Sequence, residues 1–107
     1  MSIATEFSGG ILVLTLDRAD KRNALTRAMY TGLADALHRA SKDSAIRVIL
    51  LRGAGDHFCA GNDIADFIDA NAGGGMDDVA DSPVGRFLLA LNRLAVPLVV
   101  AVKGHAV

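Results

Sequence analysis

The sequence is poor in several of the residue types that mark a specialised chemistry. It has one cysteine, Cys59, in 107 residues, so no internal disulfide framework is possible, and a reducing cytoplasm is the expected setting. There is no Trp, and four Phe and one Tyr leave little for base stacking. Lys+Arg number 11 against 12 Asp+Glu, and no basic stripe interleaves with aromatics, so nucleic acid is not an expected partner. No apolar stretch reaches the roughly 18 residues that cross a bilayer, and Met1 to Glu6 lacks the basic start and apolar core of a signal peptide. Neither membrane nor export therefore accounts for a content of 51% hydrophobic residues and a mean hydropathy of +0.35. At this length one small domain buries only a modest core. The apolar surplus points to faces that meet more protein, either further chain or other subunits.

The acidic residues are unevenly spread. Asp63, Asp66, Asp69, Asp77, Asp78 and Asp81 share a stretch without Lys or Arg, interrupted by Gly73-Gly74-Gly75. A hard-cation site needs converging oxygens, which a glycine run does not hold together, so a solvated segment is expected and no metal.

Hydrophobic periodicity sets the order of elements. Residues 3–7 alternate, Ser8-Gly9-Gly10 reads as a turn, and residues 11–16 form a nearly continuous apolar strand, expected to be buried on both faces. Asp17 to Asn23 is a charged loop. A helix follows from the N-cap Thr26, with Met29, Leu33, Leu37 and Ala40 on one face and His38, Arg39 and Lys42 near its end. Residues 46–51 make a second buried strand, and Asp63 to Ile68 a short helical turn. Ser82-Pro83 starts another helix, with Val84, Phe87, Leu88, Leu91 and Leu94 on one face and Pro97 as its stop. Leu98 to Val102 is the last strand. Strands that recur after helices imply an α/β fold with parallel pairing. The text ends just after a strand and a glycine loop, whereas domain boundaries favour polar linkers, so residues 1–107 are expected to be the N-terminal part of a single larger domain.

The densest chemical signal is Gly53-Ala54-Gly55-Asp56-His57-Phe58-Cys59-Ala60-Gly61-Asn62-Asp63-Ile64, directly after a buried strand. Small residues allow a ligand close to the main chain, and Gly61 lets successive N–H groups aim at one point. A helix starting near Asp63 adds free N–H groups, so the segment suits an anion or a carbonyl oxygen; a tight strand-to-helix loop that simply needs glycines is the plainer reading. Other readings fare worse. His57 and Cys59 sit one residue apart on a turn and would point away from each other, which disfavours a Cys–His nucleophile and leaves Cys59 a small packed residue. His57, Cys59 and Asp63 lack the second ligand pair of a zinc site. Gly53-Ala54-Gly55 lacks the third glycine and the immediate helix of a dinucleotide fingerprint. His105 reads as a loop residue.

Residues 48–64, a buried strand followed by G-x-G, a spacer and Phe58-Cys59-Ala60-Gly61-Asn62-Asp63-Ile64, resemble the signature of the crotonase superfamily of enoyl-CoA hydratases and isomerases. Leu16-Asp17-Arg18 with Asn23-Ala24-Leu25 and Met29 resembles that family's first coenzyme A loop and helix, and residues 97–107 its next strand and the start of a second glycine loop. Three segments in order cover essentially the whole chain. The resemblance implies a ββα spiral with parallel sheet layers, of which this chain is an incomplete part. It implies an acyl-CoA thioester as ligand, coenzyme A arriving as part of the substrate and no separate cofactor, and a trimer or a dimer of trimers. It also implies that the Asn62 backbone N–H is one of two donors to the thioester oxygen as an enolate develops. Ala24, Ala60, Asp63 and Ile64 would line the adenine and pantetheine path, and Lys21 or Arg22 would meet phosphates, an ordinary charged loop being the plainer alternative.

The chain departs from the family in three places. Ala19 stands where proline is common, which implies a less rigid first loop, and Ala65-Asp66 replaces a common Lys-Glu. The only glutamate, Glu6, lies in the first strand, whereas the resemblance places catalytic glutamates and the second oxyanion donor beyond Val107. Two expectations follow. One is the thioester-binding part of a hydratase or isomerase; the other is a short non-catalytic product that binds coenzyme A or assists assembly.

Overall fold

A computed structural model describes residues 2–72 and 81–107. Strands β1 (Ile3–Ser8) and β2 (Ile11–Leu16) form an antiparallel hairpin, and β3 (Val48–Gly53) and β4 (Leu98–Ala101) add in parallel, giving the sheet order β1-β2-β3-β4. Helix α1 (Arg27–Lys42) connects β2 to β3, while α2 (Ile64–Ala72) and α3 (Pro83–Asn92) lie between β3 and β4. The α/β class and the mostly parallel sheet are as the sequence implies.

Local chemistry explains the boundaries. The Thr26 hydroxyl accepts from the Met29 N–H at 3.1 Å and caps α1, and the Ser82 hydroxyl accepts from the Gly85 N–H at 3.0 Å ahead of Pro83. At the hairpin, Gly9 and Gly10 take φ of 58° and 84°, a region closed to most residues with a Cβ. Several elements differ from expectation at their ends, β1 reaching Ser8 and β4 stopping at Ala101. β3 begins at Val48 because the Ile46 N–H turns back to Asp43 O and the Arg47 N–H bonds Gly10 O. α2 extends to Ala72 rather than stopping after one turn, and α3 closes at Asn92 with Arg93 as its cap, before Pro97. The glycine run 73–75 and Asp77 and Asp78 lie outside the described residues.

The core forms on one face of the sheet. Leu12, Leu14 and Leu16 of β2 and Ile49 of β3 pack against Met29, Leu33, Ala34, Leu37 and Ala40 of α1, with Ala90 of α3 joining them. These side chains are almost fully removed from water. β2 is not buried on both faces, as its continuous apolar character suggests. It alternates, with Leu12, Leu14 and Leu16 buried, Val13 and Thr15 half-buried and Ile11 exposed. The helices cover only one side of the sheet, and alternate side chains point to the other. α3 likewise buries Gly85 and Ala90 and packs Phe87 on the core, with Leu94 just beyond its end, whereas Leu88 and Leu91 of the predicted face remain exposed.

Candidate functional site

The residues named from sequence fall on two neighbouring segments, 17–25 and 54–64. What joins them is Asn23, which is completely buried. Its Oδ1 accepts from the Arg18 N–H at 2.9 Å, and its Nδ2 donates to Ala54 O at 2.9 Å and His57 O at 2.8 Å. Arg22 and Asn23 both have positive φ, 52° and 60°. Asn tolerates that region better than most residues, which suits it to the tight turn after the 3₁₀ turn Ala19–Lys21. The first loop is thus held by a buried side chain, although Ala19 replaces the proline of the family pattern. Gly53 is equally constrained, since a Cβ there would lie 2.6 Å from His57 O and 2.7 Å from Phe58 O.

Beyond Asn23 the two segments run side by side. The Ala60 N–H donates to Arg22 O, the Leu25 N–H to Gly61 O at 2.7 Å and the Asp63 N–H to Leu25 O at 2.8 Å, making a parallel bridge between Leu25 and Asn62. In a parallel bridge one residue bonds the two neighbours of its partner, so the Asn62 N–H points away from Leu25. No described residue accepts it. Gly61, at φ 98°, makes the bend that allows this.

The Asn62 side chain is also held. Tyr30 of α1 donates its hydroxyl to Asn62 Oδ1 at 2.6 Å, and its ring packs against Phe67 and Phe87. Burial pushes the Tyr30 phenol above its ordinary pKa, with the Cys59 thiol adding to the effect, so it remains a donor through neutral pH. Sequence periodicity assigns no such role to Tyr30, because it adjoins the apolar face of α1 and its partner lies 32 positions away.

Asp63 and Asp66 organise the start of α2. The Asp63 carboxylate accepts from the Asp66 N–H at 3.0 Å and pairs with Arg18 Nη1 at 2.7 Å, while the same guanidinium nitrogen donates to Ala24 O. Asp66 accepts from the Arg27 N–H at 2.8 Å and from Arg27 Nε at 3.2 Å. Both carboxyls lie below their usual range, Asp63 chiefly through the Asp66 N–H and Asp66 chiefly through the Arg27 N–H, with the arginines reinforcing each. Asp66, a departure from the family pattern, thereby acquires a partner in this chain.

The remaining candidates are distributed around this junction. Lys21 and Arg22 are exposed on the first loop, Ala24 and Ala60 are half-buried between the segments, and Ile64 is 72% exposed at the start of α2. Cys59 is buried, its Sγ accepting from the Gly61 N–H at 3.4 Å, and His57 uses Nδ1 to accept from the His105 N–H at 3.0 Å. Their polar atoms therefore face different partners. A cavity of about 570 Å³ lies at the carboxyl ends of β2, β3 and β4, lined by Thr15, Arg52, Gly53, Ala54, Ala101, Val102 and Lys103; it takes in the first two residues of the glycine motif, Gly53 and Ala54, but not Lys21, Arg22, Ala24, Ala60, Asn62, Asp63 or Ile64. Glu6 lies on β1 with Arg52 Nη2 3.9 Å away, across the sheet. No helix among the described residues is long and apolar enough to cross a membrane.

Comparison with known proteins agrees with this architecture. The family model described as enoyl-CoA hydratase/isomerase matches residues 6–107. The chain is similar to enoyl-CoA delta isomerase 2 of Rattus norvegicus, 36% identical over 102 residues, covering 92% of this chain and 25% of that protein. It is similar to the enoyl-CoA hydratase EchA19 of Mycobacterium tuberculosis, 36% identical over 104 residues, covering 95% of this chain and 39% of that protein. The structure of Pseudomonas aeruginosa OdaA superposes with a TM-score of 0.87 at 47% identity, over 96% of this chain and 40% of that one. The chain therefore spans between a quarter and two fifths of the length of these relatives. With the family model matched from Glu6 to Val107 and the sheet and helices superposing on a solved relative, the chain belongs to the enoyl-CoA hydratase/isomerase family.

Proposed function

We propose that this chain provides the thioester-binding segment of an acyl-CoA hydratase or isomerase, with the Asn62 N–H as one donor to the thioester oxygen. The observation that carries the reading is the Asn62 N–H, which no described residue accepts and which is held in direction by hydrogen bonds on both flanking residues. A donor fixed before the ligand arrives needs no reorganisation as negative charge develops on the oxygen, which is why such donors favour the enolate over the ground state. Exposed Lys21 and Arg22, on the loop tied to this segment, suit the phosphates of coenzyme A, and Ala24 and Ala60 leave room beside the main chain for the pantetheine arm. Proton transfer to or from the acyl chain requires a titratable group within reach of the reacting carbon. Asp63 and Asp66 are engaged with Arg18 and Arg27, and Glu6 lies on β1, so these carboxylates do not serve. The reading covers both hydration and double-bond migration, which share the enolate step. Association into trimers is part of the same proposal.

The test removes the donor alone. Asn62→Pro deletes the N–H, and turnover of a 2-enoyl-CoA thioester by the full-length protein is expected to fall about 100-fold, equivalent to about 2.7 kcal/mol. Asn62→Ala retains the N–H and should cost far less. Wild-type turnover in Asn62→Pro rules out the assignment. Binding of the thioester with no turnover in the unmodified full-length protein favours the non-catalytic module.

A further inference from the structure

We propose that His57 is a positioning residue whose neutral Nδ1 latches residues 103–107 against the segment that carries Asn62, and that protonation opens the latch. Residues 103–107 run along residues 57–59: the Phe58 N–H donates to Lys103 O, the Cys59 N–H to His105 O and the Val107 N–H to Cys59 O. Cys59 and Ala106 form the resulting parallel bridge. Of the bonds between these segments, one depends on a side chain, the His105 N–H donated to His57 Nδ1 at 3.0 Å. The two imidazoles also stack, with centroids 4.2 Å apart and planes 20° from parallel. Gly104, at φ 61°, permits the close approach, since a Cβ there would lie 2.5 Å from His57 Nδ1 and closer still to Asp56 O.

An imidazole nitrogen accepts a hydrogen bond only while it is unprotonated. In the latched state His57 is therefore neutral, with its proton on Nε2. A proton taken from solvent onto Nδ1 turns the acceptor into a donor that faces the His105 N–H, and a second proton on His105 places like charges in a stack. The latch thus holds while Nδ1 is unprotonated and is lost once it takes a proton. The groups around it divide in sign. Asp56, adjoining His57 in sequence, is negative, and Lys103 on the facing segment and Arg22 on the first loop are positive. Arg18 is paired with Asp63, and the buried Cys59 beyond Phe58 is directed to Gly61. Because Gly61 approaches Val107 as well as bonding Leu25, releasing 103–107 frees one side of the Asn62 segment.

The consequence for thioester chemistry rests on the function proposed above, but the latch does not, and its test needs no substrate. Nitrogen-15 shifts of the imidazoles in the unmodified protein at about pH 8 should show His57 as the Nε2–H tautomer; an Nδ1–H tautomer overturns the proposal. Between about pH 8 and pH 5, hydrogen-exchange protection of the His105 and Val107 amides, corrected for intrinsic rates, should fall at least about 10-fold. Asn at position 57 offers an acceptor that does not titrate, so His57→Asn should keep its protection across the range. In His105→Gln the fall should persist at reduced size. Protection that is independent of pH in the unmodified protein, an unchanged fall in His57→Asn, or its disappearance in His105→Gln each overturns the assignment.

Discussion

The junction of residues 17–25 with 54–63 and the apolar flank at α3 and at β4 are built in opposite ways. In the junction, polar groups are matched around the buried Asn23: Asn23 satisfies three main-chain groups, the half-buried Arg18 meets both Asp63 and Ala24 O, and Tyr30 reaches Asn62. On the flank, Leu88 is 55% exposed and Val99 52%, with Leu89, Leu91, Val100 and Val102 also open to water. Buried hydrogen bonds fix direction, which a backbone donor requires. Apolar surface fixes only adjacency, and large apolar side chains left open to water in this number suit faces that other protein covers. The junction is therefore the part of the chain that is tied together by specific hydrogen bonds within the chain itself.

The largest expected effect comes from breaking the junction at its centre. Asn23→Ala leaves an N–H and two carbonyls without their partner and puts Ala, which tolerates the left-handed region less well than Asn, at a φ of 60°. A loss of about 4 kcal/mol is expected, read from the denaturant midpoint. Truncating the core beneath both regions sets the scale: Leu14→Ala should cost about 3 kcal/mol through lost burial and the cavity it leaves. A smaller and pH-dependent effect comes from Asp63. Its carboxyl lies below the usual carboxylate range when folded, so its contribution is present above about pH 4, the ordinary value. That contribution is lost as pH falls through the lowered folded value. Asp63→Asn keeps an acceptor for the Asp66 N–H but loses the charge beside Arg18, and acid titration of its stability should show a weaker dependence than the unmodified protein. The smallest effect is on the flank. Leu88→Gln should change stability by no more than about 0.5 kcal/mol while lowering self-association in light scattering. A large loss from Leu88→Gln would erase the contrast between the two regions.

Much of this architecture is legible along the chain because its causes are local. Gly9-Gly10 fixes the hairpin, Thr26 and Ser82-Pro83 fix two helix starts, and the spacing of Met29, Leu33, Leu37 and Ala40 identifies the buried side of α1. The apolar surplus of the composition also anticipates uncovered faces. Periodicity fails where burial depends on which neighbours exist. Residues 11–16 read as a strand buried twice, yet helices cover one face only, and Leu88 and Leu91 share a helical stripe with Phe87 without sharing its contacts. At the site, the segment 53–64 is recognisable because small residues and glycine carry backbone requirements that no other residue type meets.

By itself the sequence determined the family signature and the order of elements, since each rests on preferences encoded within a few residues, and it singled out the Asn62 N–H through the family resemblance. Only the tertiary structure decided what holds that N–H in place. Asn23 joins residues 31 and 34 positions away, Tyr30 reaches Asn62 across 32, and His57 meets His105 across 48. Hydrogen bonds between such distant residues have no local preference to announce them. They exist only once β2, α1 and β3 have packed and brought two loops and the segment after β4 to one place.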